Sequence, residues 1–393
     1  MSSQLVEKWD RLLNTEKAAP ILDEHRRKVT AQLLENQERF LNEVSNVSNT
    51  GNVDQWNPIL ISLVRRMAPK LIAYDVCGVQ PMTGPTGLVF AMRARYTNKT
   101  GAEALFQETD SAFSGAGTQV GTDPYDPLYS TGTGKVTADG EADAWNSMSM
   151  TIEKTSVTAQ TRQLRADYSM ELAQDLRALH GLDAENELSN ILSTEIIAEN
   201  NREVIRKIYS VAKPGAQWTG VPGTFNLQAD SDGRWSLERY KGLLFAIERD
   251  ANAIAAETRR GKGNILITGA DIASALVMAG LLDYNPNLQA NTALEVDVTG
   301  TTYAGQMGRY KVYVDPYLGS DSYVVGYKGS NAYDAGVFYC PYVPLQMVRA
   351  TSVDSFQPAI GFKTRYGIIA NPFTSLSANQ NVYYRKIKVS NLL

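Results

Sequence analysis

Residues 72–96 read IAYDVCGVQPMTGPTGLVFAMRARY, and their pattern decides how the rest of the chain is read. The stretch holds no catalytic group. Gly78, Pro81, Gly84 and Pro85 stand where an extended segment has to bend. From Thr86 the sequence alternates. Leu88, Phe90 and Met92 share one face and Val89, Ala91 and Arg93 the other, as in a strand whose two faces meet different surroundings. Residues 97–144 are rich in Gly, Thr, Ser and Asp and lack a helical period. Residues 148–164, MSMTIEKTSVTAQTRQL, alternate again. Two long strands about a loose excursion predict an extended antiparallel arm.

Beyond the arm the period changes from two to 3.6. In residues 166–213, Leu172, Leu176 and Leu179 step along one helical face, Gly181 breaks the pattern, and Asp183 suits an N-cap. Leu188, Ile191, Leu192, Ile196, Val204, Ile205 and Ile208 then continue an apolar stripe along about 30 residues, roughly 45 Å of helix at 1.5 Å per residue. Glu203 and Lys207 stand at a favourable i,i+4 spacing. A Gly/Pro/Asp loop over 214–234 leads to a predicted helix (235–258), a buried strand NILIT (264–268) and a helix (271–282). Predicted strands follow at 310–315 and 323–327, which together describe a compact α/β unit. Strands are also predicted at 336–349, 361–369 and 382–389. The last, VYYRKIKV, puts Tyr383, Arg385 and Ile387 on one face and Tyr384, Lys386 and Lys388 on the other.

The N-terminus differs from this body. Residues 1–43 carry eight acidic and seven basic residues, with apolar positions at helical spacing: Leu5, Trp9 and Leu12, then Val29, Leu33, Phe40 and Leu41. Pro20 interrupts the pattern, so two amphipathic helices are predicted, each marginal alone and in need of a partner. Residues 44–57, VSNVSNTGNVDQWN, read as a flexible linker, and residues 59–72 as a short helix carrying Arg65 and Arg66.

Composition narrows the function classes. With 393 residues, 43% hydrophobic and 20% charged, the chain suits two or three globular domains. A net charge of -4 and only short basic clusters, such as Arg259, Arg260 and Lys262, argue against a sequence-specific DNA binder. The abundance of Tyr, 20 residues against two His, fits either strand-rich structure or half-buried contact surfaces. Cys77 and Cys340 are expected to be buried, inert thiols. His25 falls in the N-terminal segment, and His180 at a helix end, where a cation suits the dipole. No apolar run of about 18 residues occurs, and the N-terminus lacks a secretory h-region, so the chain is expected to be made and kept in a cytosol. Gly132-Thr133-Gly134-Lys135 is followed by Val136 and fails the phosphate-loop pattern, and Gly261-Lys262-Gly263 precedes its strand instead of following it. HExxH, CxxC and GxSxG are absent. No catalytic residue, cofactor or metal site is predicted.

Three segments, residues 72–96, RQLRADYSMELAQDLRALHGLDAENELSNILSTEI (162–196) and FQPAIGFKTRYGIIANPF (356–373), closely resemble the major capsid protein family of T-even-type tailed phages. That family has the Hong Kong 97-type capsid fold, and the resemblance covers nearly all of the chain beyond Val44. It implies an α+β fold with an N-terminal arm (44–85) and an extended hairpin arm, or E-loop (86–165), that overlaps a neighbouring subunit. This arm is too short for the full inserted domain of larger members. The resemblance further implies a peripheral domain with a long spine helix (166–234), an axial α/β domain (235–340) and a return to the peripheral domain (341–393). Residues 1–43 would be a scaffold-like leader.

The family's prohead protease cuts after Leu/Ile-x-Glu. Five such triplets occur, ending at Glu7, Glu24, Glu35, Glu43 and Glu199, and the implied cleavage site is Leu41, Asn42, Glu43 and Val44. The implied function is a homo-hexameric capsomer that tiles an icosahedral DNA-filled head, matured by cleavage and expansion. Implied partners are the vertex capsid protein, the portal, an internal scaffold, the prohead protease, outer decoration proteins and the host chaperonin with a phage co-chaperonin. Packaged DNA would be touched only non-specifically. The implied location is the virion, after assembly in the host bacterial cytoplasm. Arg93, Arg95, Glu153, Lys154, Arg162 and Arg165 are candidates for charge pairs between subunits. Two other readings stay open on the residues: the pentameric vertex paralogue of the same family, and a cytosolic α/β enzyme working with carboxylates alone.

Overall fold

In the computed structural model the chain is an α+β protein built around two sheets and one long helix. It describes residues 2–13, 21, 23–45, 71–104, 108–121, 124–142, 145–231, 235–280, 282–284, 302–319, 321–331, 334–351, 357–370 and 378–392. The expected linker from Asn46 onward and the helix expected over 59–70 lie outside the described residues.

Helices α1 (Ser2–Leu13) and α2 (Glu24–Ser45) open the chain, followed by the single turn α3 (Ala73–Val76) and the short strand β1 (Gly78–Val79). Strands β2 (Thr86–Tyr96) and β3 (Met148–Thr158) pair antiparallel in register from Thr86↔Thr158 to Tyr96↔Met148, forming the predicted arm, roughly 36 Å long at about 3.3 Å per residue. Between them lie the six-residue helix α4 (Thr137–Ala142) and isolated bridges such as Ala116↔Thr133.

The sequence predicts one strand over 148–164, but the chain bends at Ala159, whose N–H donates to Pro85 O at 2.8 Å. Strand β4 (Gln160–Asp167) then leaves the arm to pair elsewhere. Helices α5 (Met170–His180) and α6 (Ala184–Val211) meet at the predicted break. Gly181 adopts φ 65°, a left-handed conformation that suits glycine, and its N–H caps Leu176 O. Asp183 accepts from the Glu185 N–H at 3.3 Å as the N-cap of α6.

After β5 (Ala212–Pro214) and β6 (Thr224–Asn226) come helix α7 (Ser236–Thr258), β7 (Ile265–Thr268) and helix α8 (Ala270–Met278). The remaining strands are β8 (Asp283–Tyr284), β9 (Thr302–Met307), β10 (Tyr310–Val314), β11 (Ser322–Gly326), β12 (Val337–Thr351), β13 (Pro358–Ala370) and β14 (Asn381–Ser390). The smaller sheet has the order β1-β12-β13-β4. The larger runs β5-β14-β11-β7-β10-β9-β8, with β6 also against β14.

The stripe of α6 is the packing axis. Leu192, Ile196, Val204, Ile205 and Ile208 enter one buried cluster with Tyr339 and Leu345 of β12, Ile360 and Phe362 of β13, Ile267 of β7 and Tyr384 of β14. One helix therefore binds both sheets. A second cluster lies between α7, α8 and the larger sheet, with Leu243, Ile247, Ile254, Leu266 and Val325 at its centre. Arg385 is 1% exposed, and its guanidinium reaches Glu257 at 2.6 Å and Pro214 O at 3.3 Å, tying β14 to α7 and β5. Cys77 and Cys340 are both buried, and burial pushes each thiol up to about 12.

Several expectations are corrected. Strand β14 pairs with β11 in the larger sheet, so residues 341–393 divide between the two sheets. One face of β14, from Asn381 through Tyr383, Arg385 and Ile387 to Val389, is buried throughout, while Lys388 on the other face is exposed. The apolar stripe of α5 does not enter the core: no residue of α5 is buried, and Leu172 and Leu179 are 49% and 78% exposed. Glu203 does not turn to Lys207. It accepts from both the Nε and Nη2 of Arg162, at 3.0 and 2.7 Å, and from the Tyr366 hydroxyl, a partly buried set that outweighs an exposed helix pair. The basic cluster near 260 is a loop, but Arg260 pairs with Asp334 and Lys262 with Glu248. Tyrosines serve chiefly as core: Tyr323, Tyr339 and Tyr384 are among the largest fully buried side chains, while Tyr125 and Tyr317 stand exposed. Among the described residues no helix is long and apolar enough to cross a membrane.

If α6 is the axis, Ile205→Ala lowers unfolding stability by about 3 kcal/mol, whereas Leu179→Ala on α5 changes it by less than about 0.5 kcal/mol in dilute solution. Chemical denaturation of the two variants checks this, and equal losses would refute it.

Candidate functional site

Two features stand apart from ordinary core and surface: the seam where α2 meets the body, and the outer face of the arm. In the N-terminal hairpin, Trp9 and Leu13 of α1 pack on Ala31 and Leu34 of α2. Lys8 donates to Glu35 at 2.9 Å and also to Glu38, the Trp9 indole N–H donates to Glu35 at 3.3 Å, and Arg27 meets Asp10 at 2.6 Å. The hydrogen bonds from Lys8 and Trp9 hold the Glu35 carboxyl below its usual range, and those to Glu38 and Glu35 push the Lys8 ammonium up.

The other stripe of α2 faces the body. Val29 and Leu33 are 1% and 3% exposed within the main core cluster, beside Leu71, Tyr74 and Val79. Polar contacts frame them. Arg26 pairs with Asp75 at 2.5 Å and lies 5.3 Å from the centre of the Tyr74 ring. The His25 Nε2 stands 3.1 Å from Val79 O. The Asn36 amide donates to Met82 O at 2.8 Å and to Tyr342 O at 3.0 Å, and Gln346 donates to Gln37. The predicted helices thus find the partners they need in each other and in the body. Sequence reading missed Asn36, whose place beside the Leu33 stripe was the available signal.

The five Leu/Ile-x-Glu triplets fall into unlike settings. The triplet ending at Glu7 lies inside α1, that ending at Glu35 inside α2 with Leu33 and Leu34 buried, and that ending at Glu199 inside α6 with Ile197 buried. In the triplet ending at Glu24, Leu22 lies outside the described residues. Leu41, Asn42, Glu43 and Val44 occupy the last turns of α2, which ends at Ser45 with no basic residue in its final turn. A helix terminus frays most easily, and least so when a cation caps its dipole.

On the arm, Leu88, Phe90, Met92, Met148, Met150 and Ile152 are 52–66% exposed on one face. The register sets Phe90 opposite Lys154 and Met92 opposite Ile152. The opposite face is ionic and locked within the chain. Arg93 reaches Glu153 at 3.3 Å and Glu103 at 3.7 Å, and Arg95 reaches Glu153 at 3.0 Å. Arg162 is tied to Glu199 and Glu203 of α6, and Arg165 to Asp167 at 2.7 Å. Lys154 is exposed beside the apolar face. Of the six candidate charges, Arg93, Arg95, Glu153 and Arg162 are therefore joined to one another or to α6, and Lys154 and Arg165 present themselves outward. A groove of about 1190 Å³ runs between the arm's base, α6 and β13, lined by Arg162, Glu199, Arg202, Glu203 and Tyr366 among others. Among the described residues no cluster of His, Cys, Asp and Glu suits a metal ion.

The docked hairpin responds to acid through His25. Burial holds the His25 imidazole below its ordinary 6.5, so the docked state binds fewer protons than the free one. Docking is unaffected above that ordinary value and weakens as pH falls below it, towards the lower docked value. The protection factor of α2 against hydrogen exchange is expected to fall as pH drops below about 6.5, and His25→Gln to flatten the response. An unchanged profile in that variant would rule out the histidine as the cause.

The family model described as major capsid protein Gp23 matches residues 53–389. The major capsid protein of Salmonella phage ViI is 40% identical over 97% of this chain and 93% of its own length. That of Enterobacteria phage T4 is 35% identical over 99% of both chains, in an alignment of 518 residues, so it contains stretches without counterpart here. The capsid vertex protein of Enterobacteria phage T4 is 26% identical over 57% of this chain and 53% of its own.

Proposed function

The chain belongs to the major capsid protein Gp23 family, and from that premise we propose how it builds the head shell of a tailed phage. Copies associate as hexameric capsomers, and the apolar outer face of the arm lies on a neighbouring copy. The observation that carries this reading is that face itself. Six large apolar side chains, exposed together on a two-stranded ribbon, are unfavourable in water and mark a contact surface. Lys154 is the charge left to pair between copies, since the other five candidates are joined within the chain. The far longer and closer match to major capsid proteins than to a vertex protein favours the hexameric role over the pentameric one. The role is structural, and the carboxylates serve ion pairs instead of catalysis.

Residues 1–43 act as a leader, docked through α2 during assembly on an internal scaffold and removed by the prohead protease after Glu43. The helix end at Ser45 supports this site over the triplets locked inside helices, because a protease needs extended, accessible backbone. Removal is followed by rotation of whole subunits about their contacts as the shell expands. The vertex capsid protein, portal, decoration proteins and the host chaperonin with its phage co-chaperonin complete the partners. Packaged DNA meets the chain non-specifically, and assembly takes place in the host cytoplasm.

Mass spectrometry of the subunit extracted from mature particles is expected to find Val44 at the N-terminus, and Glu43→Gln to leave the leader attached. Mature particles whose subunit still begins at Met1 or Ser2, or after another triplet, would overturn the assignment. Electron microscopy of the expressed chain is expected to find sheets, tubes or shells; a persistent monomer would remove the assembly reading itself.

A further inference from the structure

Helix α2 lies along an unfinished sheet edge. Strand β12 pairs with β13 from Val337↔Ala370 to Thr351↔Pro358, with register shifts between Pro341 and Val343 and between Val343 and Gln346. On its other side β1 covers only Phe338 and Tyr339. Backbone bonds from Gln80 to Tyr339 O and from Met82 to Pro341 O extend that cover by two residues. Beyond Pro341 it is Asn36 of α2 that reaches Tyr342 O, while Gln37 meets Gln346. Covering an open edge with a helix is one way that proteins guard it. With the leader gone, the seat would comprise apolar side chains such as Val79 and Leu345, the carbonyls of Met82 and Tyr342, and an Asp75 that has lost Arg26.

The outer face of the arm carries the same kinds of side chain, one cation and two large apolar groups, at similar separations, with the cation set across the ribbon instead of in line. In α2 a cation, Arg26, is followed by Val29 and Leu33 at axial steps of about 5 and 6 Å. On the arm a cation, Lys154, stands opposite Phe90, about 5 Å across the ribbon, and the next outward rung, Met92 opposite Ile152, is about 7 Å further on. Charge is complementary too, because Asp75 loses its partner with the leader and Lys154 is exposed.

We propose that the seat vacated by the leader receives the arm of a second copy of this chain. Lys154 takes the place of Arg26 against Asp75, and Phe90 and Met92 take the places of Val29 and Leu33. The inference rests on the reading that the leader is removed and that the arm overlaps a neighbour. Before removal the leader, tethered to its own seat, holds a high effective concentration there and excludes the arm. Cutting the tether reverses the competition, so that leader loss and the new contact become one event.

The test uses the full chain with a sequence-specific protease site introduced between Glu43 and Val44, folded intact and then cut. Chains bearing Gln346→Cys, a position that faces Gln37 of α2 in the seat, are mixed with chains bearing Met92→Cys, and the mixed disulfide is measured before and after the cut. The expected result is cross-linking only after the cut. It should fall about tenfold when Lys154→Glu is added to the arm-bearing chain, and be restored when Asp75→Lys is added to the seat-bearing chain. Because Lys154 is exposed, its variant tests the contact without disturbing the fold. Equal cross-linking before and after the cut, no cross-linking after it, or indifference to Lys154→Glu would overturn the proposal. Since the cut is introduced, these outcomes are separate from where the natural cleavage falls. Shells that assemble without the cross-link would leave the capsid role standing and remove only this contact.

Discussion

The constraint on which the rest depends is the burial of one stripe of α6. A helix of 28 residues spans roughly 42 Å at 1.5 Å per residue, enough to reach from the smaller sheet to the larger. Ile196, Val204, Ile205 and Ile208 each meet residues drawn from distant parts of the sequence, so no segment can move alone without opening the shared cluster. The outer face of the same helix is ionic: Glu199 and Glu203 take Arg162, and Arg202 reaches the fully buried Asp315 at 2.6 Å. The helix therefore fixes the root of the arm on one side and the larger sheet on the other. Motion of the subunit as a rigid body is the natural result, because the two halves share one core.

The N-terminal hairpin stands in a different relation to that core. It adds Val29 and Leu33 to the cluster, but it is not woven into either sheet. Its attachments are side chains meeting carbonyls and one carboxylate at a seam. Such a docked element can be removed without breaking a strand pairing, whereas loss of β14 or β13 would dismantle a sheet. The body is thus able to keep its fold through a change that alters its surface.

Much of this was legible in the sequence. The arm, both α5 and α6 with their caps, α7, and the strands β7, β10, β11, β12 and β13 follow from periodicity and from Gly181 and Asp183. What escaped reading has physical causes. Strand β9, TYAGQM, is short and contains a glycine and an alanine that blur the alternation. The break at Ala159 is made by a change of pairing partner, which alternation alone does not record. The stripe of α5 looks like that of α6, because an exposed apolar face has the same period as one buried in the core. The assignment of β14 to the larger sheet depends on β11 and β7 lying nearby, a tertiary fact. In the candidate site, the charged residues of the arm were visible, but Arg93, Arg95 and Glu153 turned out to brace the ribbon itself. Asn36 and His25 act on backbone carbonyls, which carry no side-chain signature.

The two thiols carry a last consequence. Cys77 stands just before β1 and Cys340 near the start of β12, each enclosed by apolar groups. With both pushed up to about 12, almost no thiolate exists at neutral pH, and thiolate is the form that oxidants and electrophiles attack. A container made of this chain is therefore not cross-linked through these two thiols when it passes from a reducing compartment into air-saturated water.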